Sequence, residues 1–164
     1  MNKVYYSWRH FDRDMLELAR QIWTSGWRPD YLVGISRGGL PLATSLSNYM
    51  NIPMKPLQVS LRDHSDCVSD LSMADDAATG KQILICDDIN DSGATFNWIV
   101  EDWQSSHRQA NWDEVWNGSV RFATLWDNPA SKSKYSMDFT IHEKNPQLNP
   151  WIVFPWEQPF TGAK

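Results

Sequence analysis

The stretch that decides the fold is Ile83-Leu84-Ile85-Cys86-Asp87-Asp88-Ile89-Asn90-Asp91-Ser92-Gly93-Ala94-Thr95. Ile83 to Cys86 is an apolar run that predicts a buried strand, two carboxylates close it, and a glycine-containing turn opens a helix with Phe96, Ile99, Val100 and Trp103. Each part of the turn has a chemical use. The first N–H groups of a helix have no partner within it and lie at the positive end of its dipole, so this position suits a phosphate. Gly93 permits close backbone approach, and Ser92 and Thr95 add hydroxyl donors. Paired acids beside such a cradle repel a bare phosphate. Asp87 and Asp88 therefore make sense where they accept hydrogen bonds from sugar hydroxyls or hold hydrated Mg²⁺. Together these parts describe a ribose 5-phosphate with a metal nearby. Turn and cap chemistry uses the same residue types without any ligand, so the stretch alone leaves both readings open.

Toward the N-terminus the same order of strand, glycine turn and helix recurs. Tyr31 to Ile35 is a short apolar strand, Ser36-Arg37-Gly38-Gly39 a turn, and Leu40, Ala43, Leu46 and Met50 a helical stripe that stops before Pro53. Ahead of it Val4 to Trp8 is β-prone, and Phe11, Met15, Leu18 and Ile22 mark a helix that Gly26 ends. Further strands are expected at Pro56 to Leu61, Gly118 to Leu125 and Tyr135 to Ile141. Strands alternating with helices predict a single α/β domain with a mostly parallel twisted sheet flanked by helices. Pro150 to Glu157 is apolar but bracketed by prolines, which predicts an extended cover over one end of the sheet.

Two stretches break the periodicity. Arg62 to Lys81 is small, polar and acidic, and a loop of that length predicts a mobile lid over about 62–81. Ser105 to Asn117, with Trp112 and Trp116, reads as an insertion to which no purpose is assigned.

The 164 residues are 41% hydrophobic and 21% charged, enough for one domain to bury a sizeable core without a disulfide or metal staple. No apolar run approaches the ~20 residues of a membrane span, and the N-terminus lacks a signal-peptide stretch, so a cytoplasmic protein is expected. Fifteen Lys and Arg against 20 Asp and Glu, a net charge of -5, argue against a duplex nucleic acid partner. Cys67 and Cys86 form no CxxC pair, and Cys86 reads as a buried thiol. The four histidines have no zinc spacing, and most of the ten tryptophans read as packing residues. A Walker phosphate loop is excluded because Gly80-Lys81 is followed by Gln82 and lacks the earlier glycine. A receiver domain carries its acidic pair near the N-terminus, whereas this pair lies mid-chain.

The apolar strand, acidic pair and Ser-Gly-Ala-Thr turn resemble the fingerprint of the type I phosphoribosyltransferases, with Ser92 where Thr is frequent. Ile35 to Leu40, Trp151-Ile152 and Pro155-Trp156-Glu157 make the chain most similar to the bacterial xanthine-guanine branch. The resemblance implies the fold of that family with a C-terminal hood over about 142–160, and transfer of 5-phosphoribosyl from phosphoribosyl pyrophosphate (PRPP) to a nucleobase nitrogen with Mg²⁺ present. A 6-oxopurine (hypoxanthine, guanine or xanthine) is the implied acceptor, in purine salvage. Asp91, Ser92, Gly93, Ala94 and Thr95 would bind the 5-phosphate, and Asp87 and Asp88 the ribose hydroxyls and metal. Ser36, Arg37, Gly38 and Gly39 would hold the pyrophosphate. Asp91 would act as general base toward N7, Trp151 would stack on the base, and main-chain groups at Ile152 would meet its edge.

Asn128 departs from the pattern, standing before Pro129-Ala130 where the branch has a Lys that meets the exocyclic oxygen. An amide donates and accepts, so the implied preference for 6-oxopurines is loosened. Arg62 and Lys81 are the lid's basic residues, which predicts modest turnover. Relatives are commonly homodimers or homotetramers, and neither nucleic acid nor membrane is an implied partner. Two other functions use the same motifs: a non-catalytic regulator that binds PRPP or a nucleotide, and a transferase for a different acceptor base.

Overall fold

Strand β1 (Lys3–Tyr5) leads into helix α1 (Trp8–Thr24), which Ser7 starts: its hydroxyl accepts from the His10 N–H, and the His10 ring accepts from the Ser7 N–H. There follow β2 (Tyr31–Ser36), α2 (Leu40–Met50), β3 (Met54–Gln58), α3 (Leu71–Ala78), β4 (Ile83–Asn90) and α4 (Ala94–Ser106). The chain finishes with β5 (Val120–Asp127), β6 (Phe139–Glu143) and β7 (Trp151–Val153). This computed structural model describes residues 1–61 and 67–159.

Five strands form a parallel sheet in the order β3-β2-β4-β5-β6. The central strands β2 and β4 open on apolar, buried runs, Tyr31 to Ile35 and Ile83 to Cys86, as expected of a sheet covered on both faces. On one face Leu18 and Ile22 of α1 and Leu42 and Leu46 of α2 pack with Leu32, Leu84, Cys86 and Leu125. On the other, Met73 and Ala77 of α3 and Phe96, Val100 and Trp103 of α4 pack with Val33, Ile35, Ile85 and Phe122. From β2 the chain crosses to one side of the sheet, and from β4 to the other, so the order reverses between these two strands. Ligands of open α/β sheets bind outside the strand C-termini at such a reversal, and both glycine turns lie there.

The tail is the expected cover. β7 pairs in parallel with β1, and Ile152 and Phe154 are buried with the α1 side of the core. Trp156 stacks on Phe154, with centroids 5.1 Å apart, and meets Phe11 edge-on at 5.3 Å. Residue 160 of the hood lies outside the described residues. No described helix is long and apolar enough to cross a membrane.

The lid expected over 62–81 is corrected in its second half. Residues 62–66 lie outside the described residues, but Leu71–Ala78 is a helix whose Met73, Ala74 and Ala77 are buried in the core. Asp70 caps it by accepting from the Ser72 and Met73 N–H groups. The small residues on its inner face hid a helical stripe among polar neighbours. The stretch 105–117 contributes Trp112, Val115 and Trp116 to the core. A helical turn at Trp112–Glu114 runs into a π-helical turn at Val115–Ser119. These turns stack Trp116 between Trp112 (5.5 Å) and Trp103 (5.7 Å), and against Phe122 (6.0 Å). Aromatic packing of this kind accounts for several of the tryptophans.

A buried polar node ties the N-terminal segment to the sheet. Asp14, 2% exposed, accepts from the Tyr6 hydroxyl at 2.8 Å, Arg13 Nε at 2.9 Å and His142 Nε2 at 2.5 Å. Burial opposes its ionisation, but the bonds from Arg13, His142 and Tyr6 outweigh it and hold the carboxyl below the usual range. A depressed carboxylate stabilises the fold above its ordinary pKa and stops doing so as pH falls through the lowered value. Asp14→Asn is therefore expected to cost about 1–2 kcal/mol at pH 6 in denaturant melts. The gap to the wild type should close below about pH 4, the ordinary carboxylate value. A gap unchanged at pH 3 contradicts the assignment.

Candidate active site

The turn after β2 packs directly on β4. A Cβ on Gly38 would lie 2.4 Å from Asp88 Oδ2, and one on Gly39 2.3 Å from the Cys86 carbonyl oxygen. Gly39 thus has no room for a side chain against backbone, Gly38 lets the turn come close to the Asp88 carboxylate, and the Gly39 N–H donates to the Ile35 carbonyl at 2.8 Å as it opens α2. The Ser36–Arg37 peptide within this turn is cis.

The turn after β4 is held from above by the segment that follows β5. Gly93 has φ 86, and a Cβ there would meet the Ser133 nitrogen at 2.3 Å. The Lys132 N–H donates to the Ser92 carbonyl at 3.0 Å, while the Asn97 side chain donates to the Lys132 carbonyl and accepts from the Lys134 N–H, both at 2.8 Å. The first turn of α4 is thereby presented at a fixed angle to the cavity.

β4 runs four residues beyond the apolar run, to Asn90, and carries the acidic pair on its extended end. Asp87 accepts from the Asp88 N–H at 2.9 Å. Asp88 is 7% exposed, and its Oδ2 accepts from the Trp156 indole N–H at 3.3 Å. Asn90 braces β4 to β5, donating to Asp127 at 2.7 Å and accepting from the Ser131 hydroxyl at 2.9 Å. Asp91 Oδ1 accepts from two groups, Asn128 Nδ2 at 3.0 Å and Lys144 Nζ at 2.8 Å.

These elements enclose a cavity of about 920 Å³, the size of a small-molecule site. Ser36, Arg37, Gly38, Asp87, Asp88 and Asp91 through Thr95 all line it, and so do Trp151 and Ile152 across from them. Two of the residues singled out from the sequence stand elsewhere. Gly39 lies behind the turn, against the Cys86 carbonyl. Asn128 is not among the lining residues: its amide nitrogen is turned onto Asp91 and its amide oxygen accepts from the Ala130 N–H at 3.0 Å. Asn128 thus holds Asp91 in place from behind the cavity wall.

Two lining residues carried no local signal as site residues. Lys144, with a side chain 4% exposed, reaches Asp91 from the end of β6, and Trp156 reaches Asp88 from the tail. Only the strand order and the folding back of the tail place them there. Cys86 is fully buried, and burial pushes its thiol up, so it is no nucleophile at neutral pH.

Among the described residues no three His, Cys, Asp or Glu side chains converge as an all-protein metal cage. Two adjacent carboxylates at the cavity fit a hard cation that takes its remaining ligands from water and phosphate, as Mg²⁺ does.

The profile of a family described as "Phosphoribosyl transferase domain" matches residues 1–160. The chain is 28% identical to the xanthine-guanine phosphoribosyltransferase of Idiomarina loihiensis, over 94% of this chain and 87% of the relative. It is 27% identical to the hypoxanthine-guanine phosphoribosyltransferase of Bacillus subtilis, over 87% and 79%. The purine phosphoribosyltransferase of Pyrococcus horikoshii superposes over the whole of both chains with a TM-score of 0.69 at 27% identity.

Proposed function

The chain belongs to the phosphoribosyl transferase domain family and is a phosphoribosyltransferase, and on that premise we propose that it transfers the 5-phosphoribosyl group of PRPP to a 6-oxopurine in purine salvage. The observation that carries this reading is the convergence of two glycine turns, an acidic pair and an aromatic wall on one cavity. The turn Asp91 to Thr95, at the start of a 13-residue helix, receives the 5-phosphate on its backbone N–H groups and hydroxyls. Asp87 and Asp88 accept from the ribose hydroxyls. The turn Ser36 to Gly38 lies across the cavity with the Arg37 guanidinium and receives the pyrophosphate. The purine stacks on Trp151, with the Ile152 main chain at its edge, which places N7 toward Asp91.

The C1–O bond to pyrophosphate breaks as the purine nitrogen forms its bond to C1, and the proton on N7 passes to Asp91. Positive charge develops on the ribose ring, beside the Asp87 and Asp88 carboxylates. Asp87 and Asp88 are also the residues that would hold Mg²⁺, which when bound supplies charge neutralisation to the phosphates. Trp156 donates its indole N–H to one Asp88 oxygen and so helps to fix the carboxylate at the cavity wall.

Steady-state assays with hypoxanthine, guanine, xanthine and adenine, each with Mg·PRPP, test the proposal. Formation of the 6-oxopurine nucleotide with release of pyrophosphate is expected, and removal of the metal with EDTA should abolish it. Turnover of none of the four bases would overturn the purine assignment.

A further inference from the structure

Lys144 is a buried ammonium at the catalytic end of the sheet that the mechanism above does not use. It follows β6, where its own N–H donates to the Asp127 carbonyl at 2.8 Å, and its side chain lines the cavity while remaining 4% exposed. Nζ lies 2.8 Å from Asp91 Oδ1. An ammonium carries three N–H donors, and burying one is costly unless its charge and hydrogen bonds are met. One bond to Asp91 leaves capacity for a ligand on the cavity side.

Asn128 shares the same carboxylate oxygen, and its amide keeps a second N–H, but it is not among the residues that line the cavity. Its Nδ2 is bonded to Asp91 and its Oδ1 to the Ala130 N–H. Lys144, unlike Asn128, is also among the residues that line the cavity.

Purine chemistry converts this placement into selectivity. N7 and the 6-substituent lie on one edge of the ring, and the substituent accepts hydrogen bonds in a 6-oxopurine but donates them in a 6-aminopurine. With N7 directed at Asp91, an ammonium on that same carboxylate stands beside the 6-position. A carbonyl oxygen there satisfies a remaining N–H, whereas an amino group sets donor against donor.

Resting on the reading of this cavity as a purine site, we propose that Lys144 is the residue that selects 6-oxopurines over 6-aminopurines, and that Asn128 serves only to position Asp91. A buried positive charge does what the neutral amide at 128 cannot.

The test compares wild type, Lys144→Met, Lys144→Gln and Asn128→Ala as full-length proteins. KM and kcat are measured for guanine, hypoxanthine, adenine and PRPP, and calorimetric Kd values for GMP and AMP. Lys144→Met is expected to raise KM for the 6-oxopurines and Kd for GMP by about 10- to 100-fold. The AMP Kd and the PRPP KM should stay near wild type, so that the preference for oxo over amino collapses. Lys144→Gln, which keeps a neutral donor, should fall between, and it stands in if Lys144→Met fails to fold. Asn128→Ala should lower kcat without changing the preference.

An active wild type whose oxo-over-amino preference survives in both Lys144 variants overturns this proposal and leaves the purine assignment standing. A parallel loss for every base and for PRPP also overturns it, since that marks a purely structural lysine. A wild type that binds PRPP yet neither turns over a purine nor binds GMP overturns the purine reading itself.

Discussion

Asp91→Asn is expected to lower kcat by about 10²- to 10⁴-fold, the usual worth of a positioned general base, while the KM for PRPP changes by no more than a few-fold. Asn is the same size, and its amide oxygen can still accept from Asn128 and Lys144, the two donors that meet Asp91 Oδ1. The backbone N–H groups of the turn, proposed above to receive the 5-phosphate, are untouched by the exchange. What disappears is the carboxylate as an acceptor for the N7 proton. The substitution also removes the negative charge that faces the buried Lys144 ammonium, so the variant should melt at lower temperature than wild type. Stability and turnover can be separated with Asp91→Asn/Lys144→Met, which removes both charges: it should regain the melting temperature and remain inactive. A single Asp91→Asn variant that keeps turnover within tenfold of wild type shows that the carboxylate orders the loop and does not take the proton.

The motif that places this chemistry was readable in the sequence because it is local. Ile83 to Thr95 contains strand, acids, turn and helix start in thirteen consecutive positions, and each has a preference that does not depend on the rest of the fold. The same holds for Tyr31 to Gly39 and for the stripe of α1. α3 escaped because its buried face is Met73, Ala74 and Ala77, too small and too short a stripe to stand out among Asp, Ser and Thr. The segment with Trp112 and Trp116 escaped for a different reason. Its tryptophans are buried by stacking with Trp103 and Phe122, partners from α4 and β5 that no local pattern announces. Lys144 was hidden most deeply. It is 53 residues from Asp91, and it comes alongside only because β5 pairs with both β4 and β6. Nothing in His142-Glu143-Lys144-Asn145 distinguishes this lysine from a solvated one. For Asn128 the position was legible, but the direction of its amide depends on which neighbours share its hydrogen bonds, here Asp91 and the Ala130 N–H.

The second large effect is expected at a residue that does not line the cavity. Gly39 has φ -81 and ψ -13, a conformation open to any residue, so its backbone gives no reason for glycine. The reason is steric. A Cβ would sit 2.3 Å from the Cys86 carbonyl oxygen and 2.9 Å from both the nitrogen and the carbonyl oxygen of Ile35. All three atoms belong to β2 or β4, which pair with each other at the centre of the sheet, so they cannot yield without opening the central ladder. The turn must move instead, carrying Ser36, Arg37 and Gly38 away from the cavity they line. Gly39→Ala is therefore expected to cost about 1–3 kcal/mol of stability, as overpacking does. A shift of the turn by about 1 Å should lower kcat/KM for PRPP by about 10²-fold. Gly38→Ala gives an instructive contrast, because the three atoms nearest its Cβ all belong to the Asp88 carboxylate, with Oδ2 at 2.4 Å. That side chain can rotate, at the expense of its bond from Trp156, so stability should suffer less than function. Gly118→Ala, with nothing within 4 Å of the added carbon, should leave both unchanged. Should Gly39→Ala bind PRPP and melt as the wild type does, the turn after β2 is not seated on β4 in the way described, and the pyrophosphate must be held by other residues.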